Sequence, residues 1–156
     1  NFMTESQCQR YIEASESLGR WGELDGDKFP AQEIRLKELD LWDEISEQWA
    51  EKLSKICEKH WHPEAYLGLR DAFTMRYSMD TQTELGLHTD ASLFTDNYAG
   101  AELVFPRQGF TNKDVKVGQC ILFPSMVTHG HKVLPLRGGK KYSLTMWTCR
   151  YEGDSN

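Results

Sequence analysis

Four residues in this sequence have types and spacings suited to holding a metal ion and an anion. His88 and Asp90 stand two positions apart, so in an extended strand an imidazole and a carboxylate project from one face. His131 and Lys141 follow, ten positions apart. Two imidazoles and one carboxylate form the facial triad that leaves coordination positions open and suits non-heme Fe(II). The spacing therefore predicts a catalytic metal centre with His88, Asp90 and His131 as ligands.

The segments around these four residues carry a longer pattern. From Tyr77 the chain reads YSMDTQTELGLHTDAS, and from Thr128 it reads THGHKVLPLRGGKKYSLTMW. Tyr98-Ala99-Gly100 lies between the two segments. On these residues the chain resembles the Fe(II)/2-oxoglutarate-dependent peptidyl hydroxylases, and its spacing is most similar to the catalytic domain of procollagen lysyl hydroxylases. The resemblance covers most of the chain from about Gly22 onward.

Two features depart from the lysyl hydroxylase pattern. That family anchors 2-oxoglutarate with arginine, whereas this chain has Lys141, as the prolyl 4-hydroxylases do. The interval between Ser92 and Tyr98 is also shorter than in the family, which leaves open whether residues are missing between Thr95 and Asp96. Both a lysyl and a prolyl side chain therefore stay open as the target.

The resemblance implies the roles of the site residues. His129 and His131 stand two positions apart and are expected to share one strand face, so either could complete the triad. In the family the distal ligand precedes the anchoring basic residue by ten positions and is followed by Leu-Pro, which favours His131 over His129. Lys141 is then expected to meet the second carboxylate of 2-oxoglutarate, because a buried carboxylate needs a compensating cation. Tyr77 is expected to hydrogen-bond the cosubstrate, with a core aromatic role as the alternative. Ser143 faces the same way as Lys141 and is expected to add a hydroxyl group.

The implied reaction hydroxylates an aliphatic C–H group, with release of succinate and CO2. Fe(II), 2-oxoglutarate and O2 are the implied cofactors, and ascorbate is expected with them. Two other classes of function stay open: another metal-dependent jelly-roll enzyme, cupin-like or zinc-dependent, and a catalytically inactive binding module. Lys141 weighs against the former, because a zinc hydrolase has no need of a buried cation ten residues after its last ligand. The complete set of site residues weighs against the latter.

Length and composition bound the remaining possibilities. The 156 residues fit one domain, residues 1–156, with a sizeable core. A net charge of −6 argues against nucleic acid as a partner. The sequence contains no apolar run long enough to predict membrane insertion. A peptide or protein is the expected partner, and a homo-oligomer is possible. The compartment stays open between the cytoplasm and the lumen of the secretory pathway. The four cysteines lie far apart and do not predict a disulfide framework.

The elements that position the site are predicted to be mainly β with flanking helices. Thr4 opens a capping box and a helix, and the polar, glycine-bearing segment from Gly19 to Pro30 predicts the loop that follows it. Apolar residues at steps of three and four predict a second helix from Trp42 to Ile56. Ile34 and Leu36 alternate with polar neighbours, which predicts a half-buried strand.

From Asp71 onward the period of the pattern changes to two. Further short strands are predicted at residues 88–94, 101–105, 119–123, 131–134 and 142–149. Strands at this spacing, without helices between them, indicate an antiparallel sandwich or barrel. The resemblance sharpens this to a double-stranded β-helix, a jelly roll with the helices on its outer face. Gly100 is expected to permit a tight backbone turn.

Overall fold

The structure is a computed structural model that describes residues 1–22, 32–60, 68–88, 92–94, 98–124 and 127–149, with the backbone alone at 87, 88, 92–94, 98, 127 and 149. Three helices precede most of the strands: α1 (Glu5–Leu18), α2 (Trp42–Lys52) and α3 (Ser54–His60). None of the helices in these ranges has the length and apolarity that a bilayer span requires.

The described strands form two sheets, and the pairings recorded between these strands are antiparallel. In chain order the strands are β1 (Glu33–Arg35), β2 (Gly68–Ser78), β3 (Leu85–His88), β4 (Ser92–Phe94), β5 (Tyr98–Gly100), β6 (Leu103–Phe105), β7 (Phe110–Thr111), β8 (Cys120–Ile121), β9 (His131–Val133) and β10 (Leu136–Cys149). Within the described residues, the larger sheet has the order β1-β2-β10-β4-β8, with β5 paired to the first part of β10. The smaller sheet has the order β3-β9-β6-β7.

Two apolar clusters lie on opposite faces of the larger sheet. The inner cluster joins the two sheets, and its members are Phe73, Met75, Tyr77, Leu85, Ala101, Leu103, Phe105, Val133 and Leu136. The outer cluster contains Ala72, Leu144 and Met146 from the sheet and packs them against residues of all three helices, such as Tyr11, Ile45 and Cys57. Side chains alternate along β2 and β10, so these two strands bury both faces. Helices therefore cover the outside, as predicted.

The first helix begins and ends where its sequence predicts. Thr4 caps its first turn, with its hydroxyl accepting a hydrogen bond from the Gln7 amide at 3.2 Å. Gly19 closes the last turn with φ 65°, and its amide donates to the Ser15 carbonyl. The Ser15 hydroxyl is also 2.7 Å from that of Thr74, a buried hydrogen bond that fastens α1 to β2.

Two predicted elements differ from the structure. The helix predicted from Trp42 to Ile56 is interrupted at Leu53, which changes the phase of the next turn. Cys57 is consequently buried, whereas Ile56 is 43% exposed, so the apolar stripe does not continue through Ile56. The strand predicted through Leu36 stops at Arg35, because Leu36 begins a 3₁₀ turn that buries its side chain in the helix cluster.

The positions of the later strands were predicted more accurately than their lengths. Strand β10 starts at Leu136, earlier than the predicted 142, because its first residues pair with β5. The predicted segment 88–94 is divided between β3 and β4, which lie in different sheets. The thiols of Cys8, Cys57 and Cys120 are not in disulfides, in line with the sequence.

Candidate active site

The backbone brings two of the predicted metal ligands together. Strand β3 pairs with β9, and His88 lies directly opposite His131. Opposed residues of antiparallel strands have Cα atoms roughly 4.5–5.5 Å apart. The preceding pair is Leu85 with Val133, so β3 has one more residue than β9 over this interval. Such a bulge bends the strand and re-aims the residues after it, and bulges are frequent beside active sites.

Part of the predicted triad lies outside the described residues. Asp90 is one of those residues, and His88 is described by its backbone alone. In the part of the chain that the structure does describe, no group of three or more His, Cys, Asp or Glu side chains is placed to hold a metal ion. The triad of His88, Asp90 and His131 therefore stays a prediction.

His131 is buried and held in one orientation. Its side chain is fully inaccessible, and the rings of Phe105 and Phe123 lie with their centroids 4.9 Å from the imidazole. Its Nδ1 donates to the backbone carbonyl of His129 at 3.1 Å. A carbonyl can only accept, so the proton of the neutral ring is on Nδ1 and the lone pair is on Nε2. Metal-binding histidines commonly have this arrangement.

The other candidate histidine has a different position from the one expected. His129 ends the 3₁₀ turn Val127–His129, and β9 begins only at His131. The interpretation that both histidines share a strand face is therefore wrong, because the turn takes His129 out of the strand. The ring of His129 hydrogen-bonds the hydroxyl of Thr128 at 2.9 Å. Its backbone carbonyl, in contrast, serves the site by accepting from His131.

Lys141 is a fully buried cation on the inner face of the larger sheet. It lies opposite Tyr77 across the β2–β10 pair, with Nζ 5.1 Å from the centre of the Tyr77 ring. The ammonium group donates to the carbonyl of Ala101 at 2.8 Å. Burial lowers the pKa of Lys141 to about 7, and the nearby Glu102 carboxylate partly opposes this shift.

The turn that supplies this carbonyl depends on unusual backbone angles. Gly100 has φ 82° and Ala101 has φ 51°, both in the left-handed region. A Cβ atom at Gly100 would lie 2.4 Å from the carbonyl oxygen of Pro135, so only glycine fits without a shift of the backbone. The tight turn expected at Gly100 is present, and it directs the next carbonyl toward Lys141.

Tyr77 and Ser143 lie where the alternation of the strands predicts. Both are buried, at 1% and 4% exposure, and Ser143 is on the same face of β10 as Lys141. Tyr77 belongs to the same apolar cluster as Phe105, whose ring packs on His131. The structure therefore places Lys141, Tyr77 and Ser143 on the inner face of the larger sheet, and the cluster on that face includes Phe105.

Several contributors to the site were missed in the sequence. Phe105 and Phe123 enclose His131, and Ala101 accepts from Lys141 through its backbone. Phe105 and Phe123 could have been found from the sequence, because both are aromatic residues on predicted strands. A backbone acceptor carries no signal in residue type, although the neighbouring glycine marked the turn that exposes it.

The chain is similar in sequence to curated lysyl hydroxylases. No family model matches the chain. It is 28% identical over 160 residues to procollagen-lysine,2-oxoglutarate 5-dioxygenase 1 of Mus musculus, covering 89% of this chain and 22% of that protein. It is 24% identical to procollagen-lysine,2-oxoglutarate 5-dioxygenase 2 of Homo sapiens, covering 89% of this chain and 21% of that protein. The predicted resemblance to lysyl hydroxylases is confirmed.

A solved structure identifies the fold. The viral collagen prolyl hydroxylase of Paramecium bursaria Chlorella virus-1, in its 2OG complex, superposes with a TM-score of 0.62. The match covers 94% of this chain and 91% of that chain at 16% sequence identity. The chain thus has the jelly-roll fold of that hydroxylase, as predicted. It spans about a fifth of the length of the curated lysyl hydroxylases, 22% for the mouse protein.

Proposed function

We propose that this chain is an Fe(II)- and 2-oxoglutarate-dependent dioxygenase that hydroxylates an aliphatic C–H group of a peptidyl lysine or proline. The observation that carries the proposal is the buried Lys141, on the inner face with Tyr77 and Ser143, where the apolar cluster includes Phe105, whose ring packs on His131. The names of the lysyl hydroxylase relatives, and the 2OG complex of the viral collagen prolyl hydroxylase, support both the cosubstrate and a peptide or protein substrate.

The residues present fit a ferrous ion. His131 has its ring proton on Nδ1, an arrangement common among histidines that bind metals through Nε2, and His88 lies opposite it on the neighbouring strand. We assign His88, Asp90 and His131 as the residues that would hold Fe(II). When bound, the iron with 2-oxoglutarate and O2 supplies the oxidising chemistry, which gives succinate, CO2 and a hydroxylated substrate, and ascorbate is expected to support it.

Lys141 would bind the carboxylate of 2-oxoglutarate that lies away from the metal. A buried ammonium group is costly without an opposite charge, and its lowered pKa expresses that cost. A carboxylate beside it favours the charged form, so ligand binding would raise the pKa of Lys141 again. Ser143 and Tyr77 would add hydroxyl hydrogen bonds to the same ligand. The Ala101 carbonyl restrains the ammonium position before the ligand arrives.

The aromatic enclosure of His131 would serve orientation and exclusion of water. Phe105 and Phe123 leave the imidazole little freedom to rotate, while the His129 carbonyl fixes its tautomer. A ligand held in this way requires little rearrangement when the metal binds. The dry surroundings also strengthen the interaction between Lys141 and an anionic cosubstrate.

The proposal is tested by incubating the protein with Fe(II), ascorbate, 2-oxoglutarate and a library of lysine- and proline-containing peptides. We expect mass spectrometry to detect peptides that gain one oxygen atom, together with succinate. His131→Ala should abolish the products, and Lys141→Ala should reduce them when 2-oxoglutarate is below saturation. Lys140→Ala, a change at an exposed neighbour, should retain them. Product formation that survives His131→Ala, or a wild-type protein that forms neither product, would contradict the proposal.

A further inference from the structure

A turn on the smaller sheet is bonded to two residues that lie next to the predicted ligand His131 or to the segment that orients it. Residues 106–109 connect β6 and β7, and the amide of Gln108 closes this turn by donating to the Phe105 carbonyl at 3.2 Å. The ring of Phe105 packs on the His131 imidazole. The side chain of Gln108 reaches the other way, and its Nε2 donates to the backbone carbonyl of Thr128 at 2.8 Å.

The Thr128 carbonyl belongs to the segment that orients His131. Thr128 lies in the 3₁₀ turn Val127–His129, and the next carbonyl, that of His129, accepts from Nδ1 of His131. A hydrogen bond between Thr128 and the His129 ring gives the turn some internal support. The described contacts thus form a chain from Gln108 through Thr128 and the His129 carbonyl to the imidazole.

We propose that Gln108 is a positioning residue for the metal site. It holds the turn before β9 so that the His129 carbonyl keeps the His131 imidazole in its metal-binding orientation. Gln108 is exposed, and water can replace its bond to the Thr128 carbonyl. Its loss should therefore leave the fold intact while allowing the turn, and with it the imidazole, more freedom. This inference rests on the proposed role of His131 as a metal ligand.

The experiment measures Co(II) binding to the whole chain by absorption spectroscopy, with the melting temperature recorded for each variant. Gln108→Glu preserves the shape of the side chain but removes its N–H donor. Gln119→Glu is the matched control, since the Gln119 side chain accepts from the Lys116 amide at 2.8 Å and a carboxylate can still do so. Both substitutions change the net charge equally. Gln108→Lys restores a donor at the first position.

We expect Gln108→Glu to raise the dissociation constant for Co(II) by about threefold to tenfold, below the effect typical of groups bonded directly to a metal ligand. Its melting temperature should stay near that of the wild type. Gln119→Glu and Gln108→Lys should bind Co(II) as the wild type does. Wild-type affinity in Gln108→Glu, or an equal loss in Gln119→Glu, would overturn the positioning role.

His131→Ala separates this inference from the function on which it rests. If the variant loses Co(II) binding, the ligand assignment holds, and the glutamine variants decide the role of Gln108 alone. If it binds Co(II) as tightly as the wild type, the assignment of His131 is wrong and the inference about Gln108 falls with it.

Discussion

The two faces of strand β10 differ in what they bury. Leu144 and Met146 point outward into the apolar cluster that packs against the helices. Lys141, Ser143 and Thr145 point inward, and all three are buried as well. A single strand thus stabilises the domain with one set of alternate residues and presents polar groups with the other. On β10, the outward residues therefore serve packing, whereas the inward polar residues are the ones that we propose for ligand binding.

Ile45→Ala should have the largest effect on folding, because Ile45 is fully inaccessible in the helix cluster. We expect the free energy of unfolding to fall by about 2–5 kcal/mol, the usual cost of such a cavity. The affinity of the folded protein for 2-oxoglutarate should not change. Urea denaturation would measure the free energy of unfolding, and titration calorimetry below the denaturation transition would measure the affinity. A loss of affinity as large as the loss of stability would remove the distinction between the two faces of β10.

Lys141→Met should show the opposite behaviour. We expect 2-oxoglutarate affinity to fall by about tenfold to hundredfold, as when a hydrogen bond to a charged group is lost. Stability should be equal or higher by up to about 4 kcal/mol, since an apolar side chain of similar length replaces a buried charge. Titration calorimetry measures the affinity, and urea denaturation measures the stability. A variant that is destabilised and binds normally would show that Lys141 is structural.

The pH dependence of stability and of 2-oxoglutarate binding gives a second test of the role of Lys141. Burial lowers the pKa of Lys141 to about 7 from an ordinary 10.5. Between these two values the unfolded chain binds more protons at this residue than the folded chain, so its contribution to stability rises with pH. Binding of 2-oxoglutarate requires the protonated form, so affinity should decrease as pH rises above about 7, by up to tenfold for each pH unit. Calorimetric titrations of 2-oxoglutarate from roughly pH 6 to pH 9, a range that spans the pKa of Lys141, test this prediction. An affinity that does not change with pH would contradict it.

Lys140→Ala should have the smallest effect. Lys140 is adjacent to Lys141 in the sequence but exposed, because neighbouring residues of a strand face opposite ways. We expect a change in unfolding free energy within about 0.5 kcal/mol and unaltered 2-oxoglutarate affinity. A loss of affinity comparable to that of Lys141→Met would mean that charge on this strand matters without regard to burial.

The sequence predicted the parts of the fold that depend on local periodicity and capping. Thr4 and Gly19 delimit α1, and the alternation along β10 predicted that Ser143 and Lys141 share one face. The resemblance to a known family added the jelly roll and the choice of His131. These predictions share a property: each rests on neighbours in the chain or on a motif of fixed spacing.

The remaining features depend on contacts between distant segments. The break at Leu53 and the 3₁₀ turn at Leu36 are set by packing of side chains that no periodicity records. The position of His129 in a turn follows from where β9 meets β3, which the alternation of residues does not specify. The acceptor for Lys141 is a backbone carbonyl, so its identity followed only from the pairing of β5 with β10.

The central claim is that His131 and Lys141 serve a single site that binds a metal ion and 2-oxoglutarate together. Calorimetric titration of 2-oxoglutarate with and without Mn(II), a divalent ion suited to oxygen and imidazole ligands, tests this most directly. We predict that Mn(II) strengthens 2-oxoglutarate binding in the wild type, that His131→Ala abolishes this strengthening, and that Lys141→Met weakens binding in both conditions. Binding of 2-oxoglutarate that is indifferent to Mn(II) in the wild type, or unaltered by both substitutions, would contradict the account.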